Sequence, residues 1–349
     1  MQYKHIAFCM RRDYKDMTAG DVVQMFSWKK ILEMLGNKIT ILAGDICCQD
    51  LCDVDVVFIW QLERMHESYL AWKIAKVCRK PIVLVPTCWR EGNLDLRVRF
   101  TEQLKMMARN FQSLSQKSSR VLLFQSWKKC RDELLFHSSM LIVNSDSEKQ
   151  MLLREGASFK KIRIIPNVVP EDMLLETAGF TQGQRSGIIC VGHFCPRKNQ
   201  LALIRSVKGT DLKITFVGTA RPMHKHYYEQ CRKEADGQHD FVGELSHSEL
   251  HDLMCLSHVS VCVSLSETPG ISNLEAAISG CHLVLPDIAP LHEYFGENVY
   301  YISPKNPDPG IIRKALENPI FPDLRGHILE HYTEKHLINL WKSMEITEG

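Results

Sequence analysis

Short, β-branched apolar runs alternate with segments of helical period along almost the whole of this chain, and that rhythm restricts the fold more than any other feature. Runs at 6–9, 39–42, 56–59, 82–85 and 140–143 read as strands, with helical patterns such as 21–35 and 66–79 between them. A further run at 162–165 ends at Pro166, with Pro170 close behind. Strand–helix–strand alternation implies a parallel sheet covered on both faces. The stretch 176–187 is polar and contains glycine, as a linker or surface loop would. The rhythm then restarts, with strands expected at 188–191, 213–217, 241–242, 259–265 and 282–285 and helices at 199–207, 224–235, 246–256 and 272–279. Two doubly wound α/β domains are expected, without an internal sequence repeat. Ligands of such sheets bind beyond the C-terminal ends of the strands, so the crevice where two sheets face each other is the expected site.

Composition narrows the class. A length of 349 residues suits two domains, and 45% apolar with 24% charged residues is the balance of a soluble globular protein. No apolar run is long enough to span a bilayer. The first eight residues pass directly into a strand pattern, without the core or cleavage site of a signal peptide. A cytoplasmic location is therefore expected. The 13 cysteines are odd in number, and several fall in apolar elements (Cys9, Cys190, Cys255, Cys262, Cys281), as free thiols do in a reducing compartment. The run Cys47-Cys48-Gln49-Asp50-Leu51-Cys52 lacks a second Cys or His pair at zinc spacing, so no metal is expected there.

The net charge of +2 hides an asymmetry: the first half is basic and the second acidic. The basic excess concentrates in 97–131, where Arg97, Arg99, Lys105, Arg109, Lys117, Arg120, Lys128, Lys129 and Arg131 face only Glu102. Phe100, Leu104, Met107, Phe111 and Leu114 recur there at helical spacing. The stretch reads either as a solvated face over a core stripe or as a surface for peripheral contact with an anionic membrane.

The chemistry concentrates in Glu267-Thr268-Pro269-Gly270-Ile271-Ser272-Asn273-Leu274-Glu275-Ala276-Ala277. A β-branched run precedes it, and an Ala-rich helix ending at Gly280 follows. Gly270 permits close backbone approach to a ligand, and the N–H groups of a new helix suit a diphosphate. Glu267, at the strand exit, suits sugar hydroxyls, and Glu275, at the opening of the helix, suits a ribose. The bland reading is a crossover with two surface glutamates.

This stretch resembles the nucleotide-sugar motif of the family 4 glycosyltransferases, the glycosyl transferases group 1, which have the GT-B fold. Glu267, Gly270, Glu275, Ala276 and Gly280 fit the family pattern; Pro269 stands where an aromatic is usual. Val191-Gly192-His193-Phe194-Cys195-Pro196-Arg197-Lys198 is similar to its phosphate-binding segment, with His193 in place of the usual Arg. Ile164-Ile165-Pro166-Asn167-Val168-Val169 and Thr18-Ala19-Gly20-Asp21 also match family segments. The family's first-domain His is missing from Pro86-Thr87-Cys88-Trp89-Arg90-Glu91, which leaves Thr87, Trp89 and Arg90 as candidate contacts.

The resemblance implies a GT-B fold of two Rossmann-like domains, 1–170 on the acceptor side and 187–325 binding the nucleotide sugar. Residues 326–349 are then a C-terminal helix packing back on the first domain. It implies a retaining hexosyltransferase without cofactor or metal, moving a sugar from a nucleoside-diphosphate sugar to a glycan, lipid-linked or small-molecule acceptor. Glu267, Lys198 and Arg197 would be catalytic. Gly20, His193, Gly218, Gly243, Pro269, Gly270, Ile271 and Glu275 would bind the donor. Asp21 reads as a helix cap, and Asp53-Val54-Asp55 as a loop that holds no metal. Nucleic acid is not an expected partner. The alternatives are a GT-B nucleotide-sugar 2-epimerase and a non-catalytic sugar-nucleotide-binding protein.

Overall fold

The computed structural model describes residues 4–15, 20–62, 64–87, 104, 126–174, 185–318 and 324–344. The chain divides into two units. One is Met1–Pro166 together with Leu337–Gly349, and the other is Asn167–His336.

The first unit runs β1 (His5–Met10), α1 (Gly20–Met34), β2 (Lys38–Ala43), β3 (Val56–Trp60), α2 (Met65–Val77), β4 (Ile82–Val85), α3 (Trp127–His137), β5 (Met140–Val143), α4 (Asp146–Arg154) and β6 (Ile162–Ile164). Its sheet has the order β2-β1-β3-β4-β5-β6 and is parallel throughout. Every residue of β3, β4 and β5 is buried, which is why these runs are continuously apolar rather than alternating. The order reverses between β1 and β3, so the C-terminal ends of those two strands flank the switch point.

The second unit contains β7 (Ile188–Val191), α5 (Gln200–Ser206), β8 (Ile214–Val217), α6 (Lys225–Ala235), β9 (Asp240–Gly243), α7 (His247–Leu256), β10 (Val259–Val261), α8 (Ile271–Ile278), β11 (His282–Pro286), α9 (Ala289–Phe295), β12 (Tyr300–Ile302), α10 (Pro309–Glu317) and α11 (Leu324–His331). Its parallel sheet has the order β12-β11-β10-β7-β8-β9, with the switch between β10 and β7. A last helix, α12 (Glu334–Ser343), begins in this unit and ends in the first. There Trp341 is fully buried and meets Trp28 of α1 edge-on at 5.1 Å and Phe58 of β3 at 6.2 Å. A buried aromatic of this size contributes roughly 2–3 kcal/mol by area alone. Segment 326–349 is thus shared between the units.

Two local expectations need correction. The strand expected at 259–265 ends at Val261, because the chain beyond it leaves β7: the Leu265 N–H bonds to the Arg197 carbonyl at 2.8 Å. Helix α8 begins at Ile271, so Glu275 lies one turn inside it rather than at its opening.

Candidate active site

In the second unit the loops leaving β7, β8 and β9 are laced together by their backbones. Gly192 N–H bonds Val217 O at 2.9 Å, Phe194 N–H bonds Thr219 O at 3.0 Å, and Gly218 N–H bonds Gly243 O at 2.6 Å. Gly218 has φ +130°, and a Cβ there would lie 2.4 Å from the Gly192 carbonyl oxygen. Only glycine allows these two strand exits to approach so closely. The half-buried His193 follows Gly192, and its carbonyl accepts from Gln200 Nε2 at 3.0 Å.

The turn after His193 delivers two cations. Lys198 N–H bonds Cys195 O at 3.0 Å, and Asn199 takes a left-handed conformation (φ +61°). Asn199 Nδ2 then donates to Val263 O and Pro304 O at 3.2 and 2.6 Å, fastening the turn to the exits of β10 and β12. Arg197 Nη1 donates to Ser266 O at 2.7 Å. Lys198 Nζ lies 2.5 Å from Glu267 Oε2, and Arg197 Nη1 lies 3.7 Å from the same oxygen. Ser264 Oγ donates to it as well, at 3.1 Å. Glu267 is 3% exposed. Burial by itself would raise its pKa, but Lys198 and Arg197 outweigh burial and hold the carboxyl below the usual range.

Gly270 (φ +78°) then turns the chain into α8, and a Cβ on it would meet Asn273 Nδ2 at 2.9 Å and the Glu267 carboxyl carbon at 3.2 Å. Asn273 Nδ2 donates to Pro269 O at 2.7 Å. Asn167 braces the same loop from outside: its Nδ2 donates to Thr268 O at 3.3 Å, and its N–H to the Tyr294 hydroxyl at 2.9 Å. Glu275, also buried, is hydrogen-bonded to His247 Nε2 at 3.1 Å.

Lys198, Arg197, Glu267, Pro269, Gly270 and Ile271 therefore converge on the β7–β10 switch point. Gly218 and Gly243 continue the row of strand exits, and Glu275 lies a turn deeper. Sequence reasoning missed Ser264, Asn273 and His247, all of which are visible in the fold only as partners of a carboxylate or a carbonyl. The cluster holds two cations against one carboxylate, with backbone left bare by glycine beside it. That arrangement can take a diphosphate on the cations and offer a hydrogen-bond acceptor to hydroxyls.

Gly20 lies in the first unit, exposed at the head of α1. Its neighbour Asp21 does not cap that helix. The carboxylate turns inward to accept from Arg11 Nε at 3.0 Å and from Gln61 Nε2. Arg11 also reaches Asp13 at 2.8 Å, and Asp13 takes both terminal nitrogens of Arg64 at 2.8 and 3.0 Å. This network, which sequence reasoning missed, sits at the ends of β1 and β3. Arg11, Gln61, Arg64, Glu67 and Ser68 line a small cavity beside it.

Asp55 is a structural acceptor, bonding the N–H groups of Lys4 and His5 at 2.9 Å each. Among the described residues no group of three or more His, Cys, Asp or Glu is placed to hold a metal. Within the basic stretch, Arg131 is buried, ion-paired with Glu155 and set over the Trp127 ring, so it belongs to no basic face. Lys128 and Lys129 are exposed on α3. Residues 97–103 and 105–125 lie outside the described residues, as do Thr18, Trp89 and Arg90.

Two parallel six-stranded sheets with helices on both faces make this a GT-B fold. Residues 180–325 match the family described as glycosyl transferases group 1, so the second unit carries that family's sequence pattern. The chain superposes on sucrose-phosphate synthase from Thermosynechococcus elongatus with a TM-score of 0.72, at 12% identity and over 97% of each chain. HepE from Anabaena, solved in complex with UDP-glucose, gives a TM-score of 0.68 at 12% identity, over 97% of this chain and 100% of that one. In sequence, the chain is 24% identical over 185 residues to a subunit of phosphatidylinositol N-acetylglucosaminyltransferase from Arabidopsis thaliana. That match takes in 52% of this chain and 41% of the relative's length.

Proposed function

We propose that the chain is a retaining glycosyltransferase of the family 4 type that moves a sugar from a nucleoside-diphosphate sugar to a glycan or lipid-linked acceptor. The observation that carries this reading is the Lys198–Glu267–Arg197 cluster beside Gly270, inside the segment that matches the glycosyltransferase family. Departure of a nucleoside diphosphate leaves charge on the leaving oxygen. Lys198 and Arg197 are fixed cations that meet it without reorganisation. Glu267, held ionised by both, accepts hydrogen bonds from the donor sugar, and Glu275 accepts from the ribose.

A carboxylate already engaged by two cations and Ser264 is a poor nucleophile. The departing phosphate therefore takes the acceptor's proton on the same face, with retention and without a bound metal. A UDP donor is the first choice, since HepE was solved with UDP-glucose. A lipid-linked acceptor is suggested by the name of the Arabidopsis relative. The acceptor would be taken by the first unit. Among the described residues no helix is long and apolar enough to cross a membrane, so a lipid acceptor would be met by peripheral contact at the cytoplasmic face.

A thermal-shift screen of nucleoside diphosphates and their sugars, followed by transfer assays with EDTA, tests the proposal. The expected result is a raised Tm with one donor, transfer that EDTA leaves unchanged, and a product with the donor's anomeric configuration. An epimer released from donor alone overturns it in favour of a 2-epimerase; binding without turnover overturns it in favour of a binding protein.

A further inference from the structure

Cys47, Cys48 and Cys52 come from the turn between β2 and β3. The fold brings a fourth cysteine to them from thirty residues downstream: Cys78, which caps the C-terminal end of α2. The 3-10 turn Cys48–Leu51 packs against α2. The Cys48 and Cys78 thiols are in hydrogen-bonding contact, and Cys52 is close enough to act on Cys78 through its charge. Cys52 itself turns back to its own turn, its Sγ donating to Cys48 O at 3.5 Å. All four are free thiols, with Cys48 and Cys52 exposed and Cys47 and Cys78 half-buried. Elsewhere the described cysteines are mostly sealed in the core, where burial pushes Cys9 and Cys281 up to about 12 and leaves them inert.

We propose that Cys48 and Cys78 form a reversible dithiol/disulfide pair that staples the β2–β3 turn to the end of α2. The oxidant is a small-molecule disulfide such as glutathione disulfide. The exposed Cys48 thiolate attacks one of its sulfurs, forming a mixed disulfide and expelling one glutathione thiolate. Cys78, after giving its proton to solvent, attacks the Cys48 sulfur. The Cys48–Cys78 bond forms and a second glutathione leaves. Two protein thiols have lost two electrons, and one glutathione disulfide has become two glutathiones.

The staple lies at the end of the sheet remote from the strand exits. Cys52 and Asp53 lead into the start of β3, and the Asp53 carbonyl bonds His5 Nδ1 at the start of β1 at 2.8 Å. Lys80, leading into β4, donates to Cys52 O at 3.2 Å. The bond therefore acts on the stability of the first unit and not on ligand contacts. The slow step is the second: burial and the Cys48 thiol push Cys78 up to about 11. Closure is expected to accelerate steeply between pH 7 and pH 9, because only the thiolate attacks.

The test treats the intact protein with glutathione disulfide, blocks remaining thiols, and maps linked peptides by mass spectrometry without reduction. The expected result is a Cys48–Cys78 peptide pair, absent in Cys48→Ser and in Cys78→Ser and retained in Cys52→Ser. Oxidation should raise the Tm of the unaltered protein by about 5 °C, reversed by dithiothreitol. Failure to form the pair overturns the proposal, as does linkage through Cys52 or Cys47, or disulfides only between chains. The mapping needs no variant, so a poorly folded mutant does not obscure it.

Discussion

The two units carry ion clusters at equivalent places, the strand exits beside each switch point, yet the clusters are built on opposite plans. In the first unit, Arg11 and Arg64 are matched by Asp13 and Asp21, so the charges cancel within the network. In the second, Lys198 and Arg197 share the one carboxylate of Glu267, which leaves a surplus positive charge. The backbones differ in the same sense. The second unit's exits carry Gly192, Gly218 and Gly270 at positive φ. In the first, Gln61 beyond β3 and Thr87 beyond β4 hold such conformations with side chains attached. A bare backbone with surplus positive charge suits an invariant anionic group. A neutral network of side chains suits a partner read by shape and hydrogen bonds.

The largest effect should come from breaking the second cluster. Lys198→Ala and Glu267→Gln are each expected to lower transfer about a hundredfold or more, the scale for losing one preorganised charge-stabilising group. Steady-state rates on folded variants check this, and retained activity in both removes the site from the β7–β10 exits. A smaller effect tests the backbones. Gly218→Ala forces a Cβ onto the Gly192 carbonyl at a positive φ and should cost about 2 kcal/mol or more in denaturant unfolding. Gln61→Gly relieves a left-handed conformation (φ +70°) but loses a bond to Asp21, so its net change should be under about 1 kcal/mol. Equal losses at the two positions would erase the contrast.

The smallest effect separates the clusters by pH. Burial opposes ionisation of Asp13, but hydrogen bonds from Arg64 and Arg11 lower its pKa from 3.8 to about 2. A depressed carboxyl stabilises the fold above its unfolded pKa, and that contribution fades as pH falls from about 4 towards 2. Arg64→Ala should flatten this part of the curve of Tm against pH, as measured by calorimetry. An unchanged slope would mean that Asp13 does not depend on Arg64.

The sheets were legible because parallel strands buried on both faces must be apolar throughout, and 56–59, 82–85 and 188–191 are. Glu267 and Lys198 were legible because each follows such a run at a strand exit. What escaped is what depends on a partner distant in sequence. Asp21 looks like a cap until Arg11 and Gln61 are seen on its inner side. Arg131 looks like part of a basic face until Glu155 and Trp127 claim it. The end of β10 was misplaced because 262–265 keeps a strand-like composition while its backbone turns aside to reach Arg197.

The position of Trp341 has a consequence for how the protein comes into being. Residues 167–336 form one unbroken stretch, so the second unit has all its parts while later sequence is still being synthesised. The first unit does not: the apolar face made by Trp28 and Phe58 is covered by a side chain translated long after them, on the far side of the whole second unit. The unit whose strands are made first is therefore the one that can be completed only after the other has had time to fold, and an uncovered tryptophan face must wait on the ribosome until residue 341 emerges.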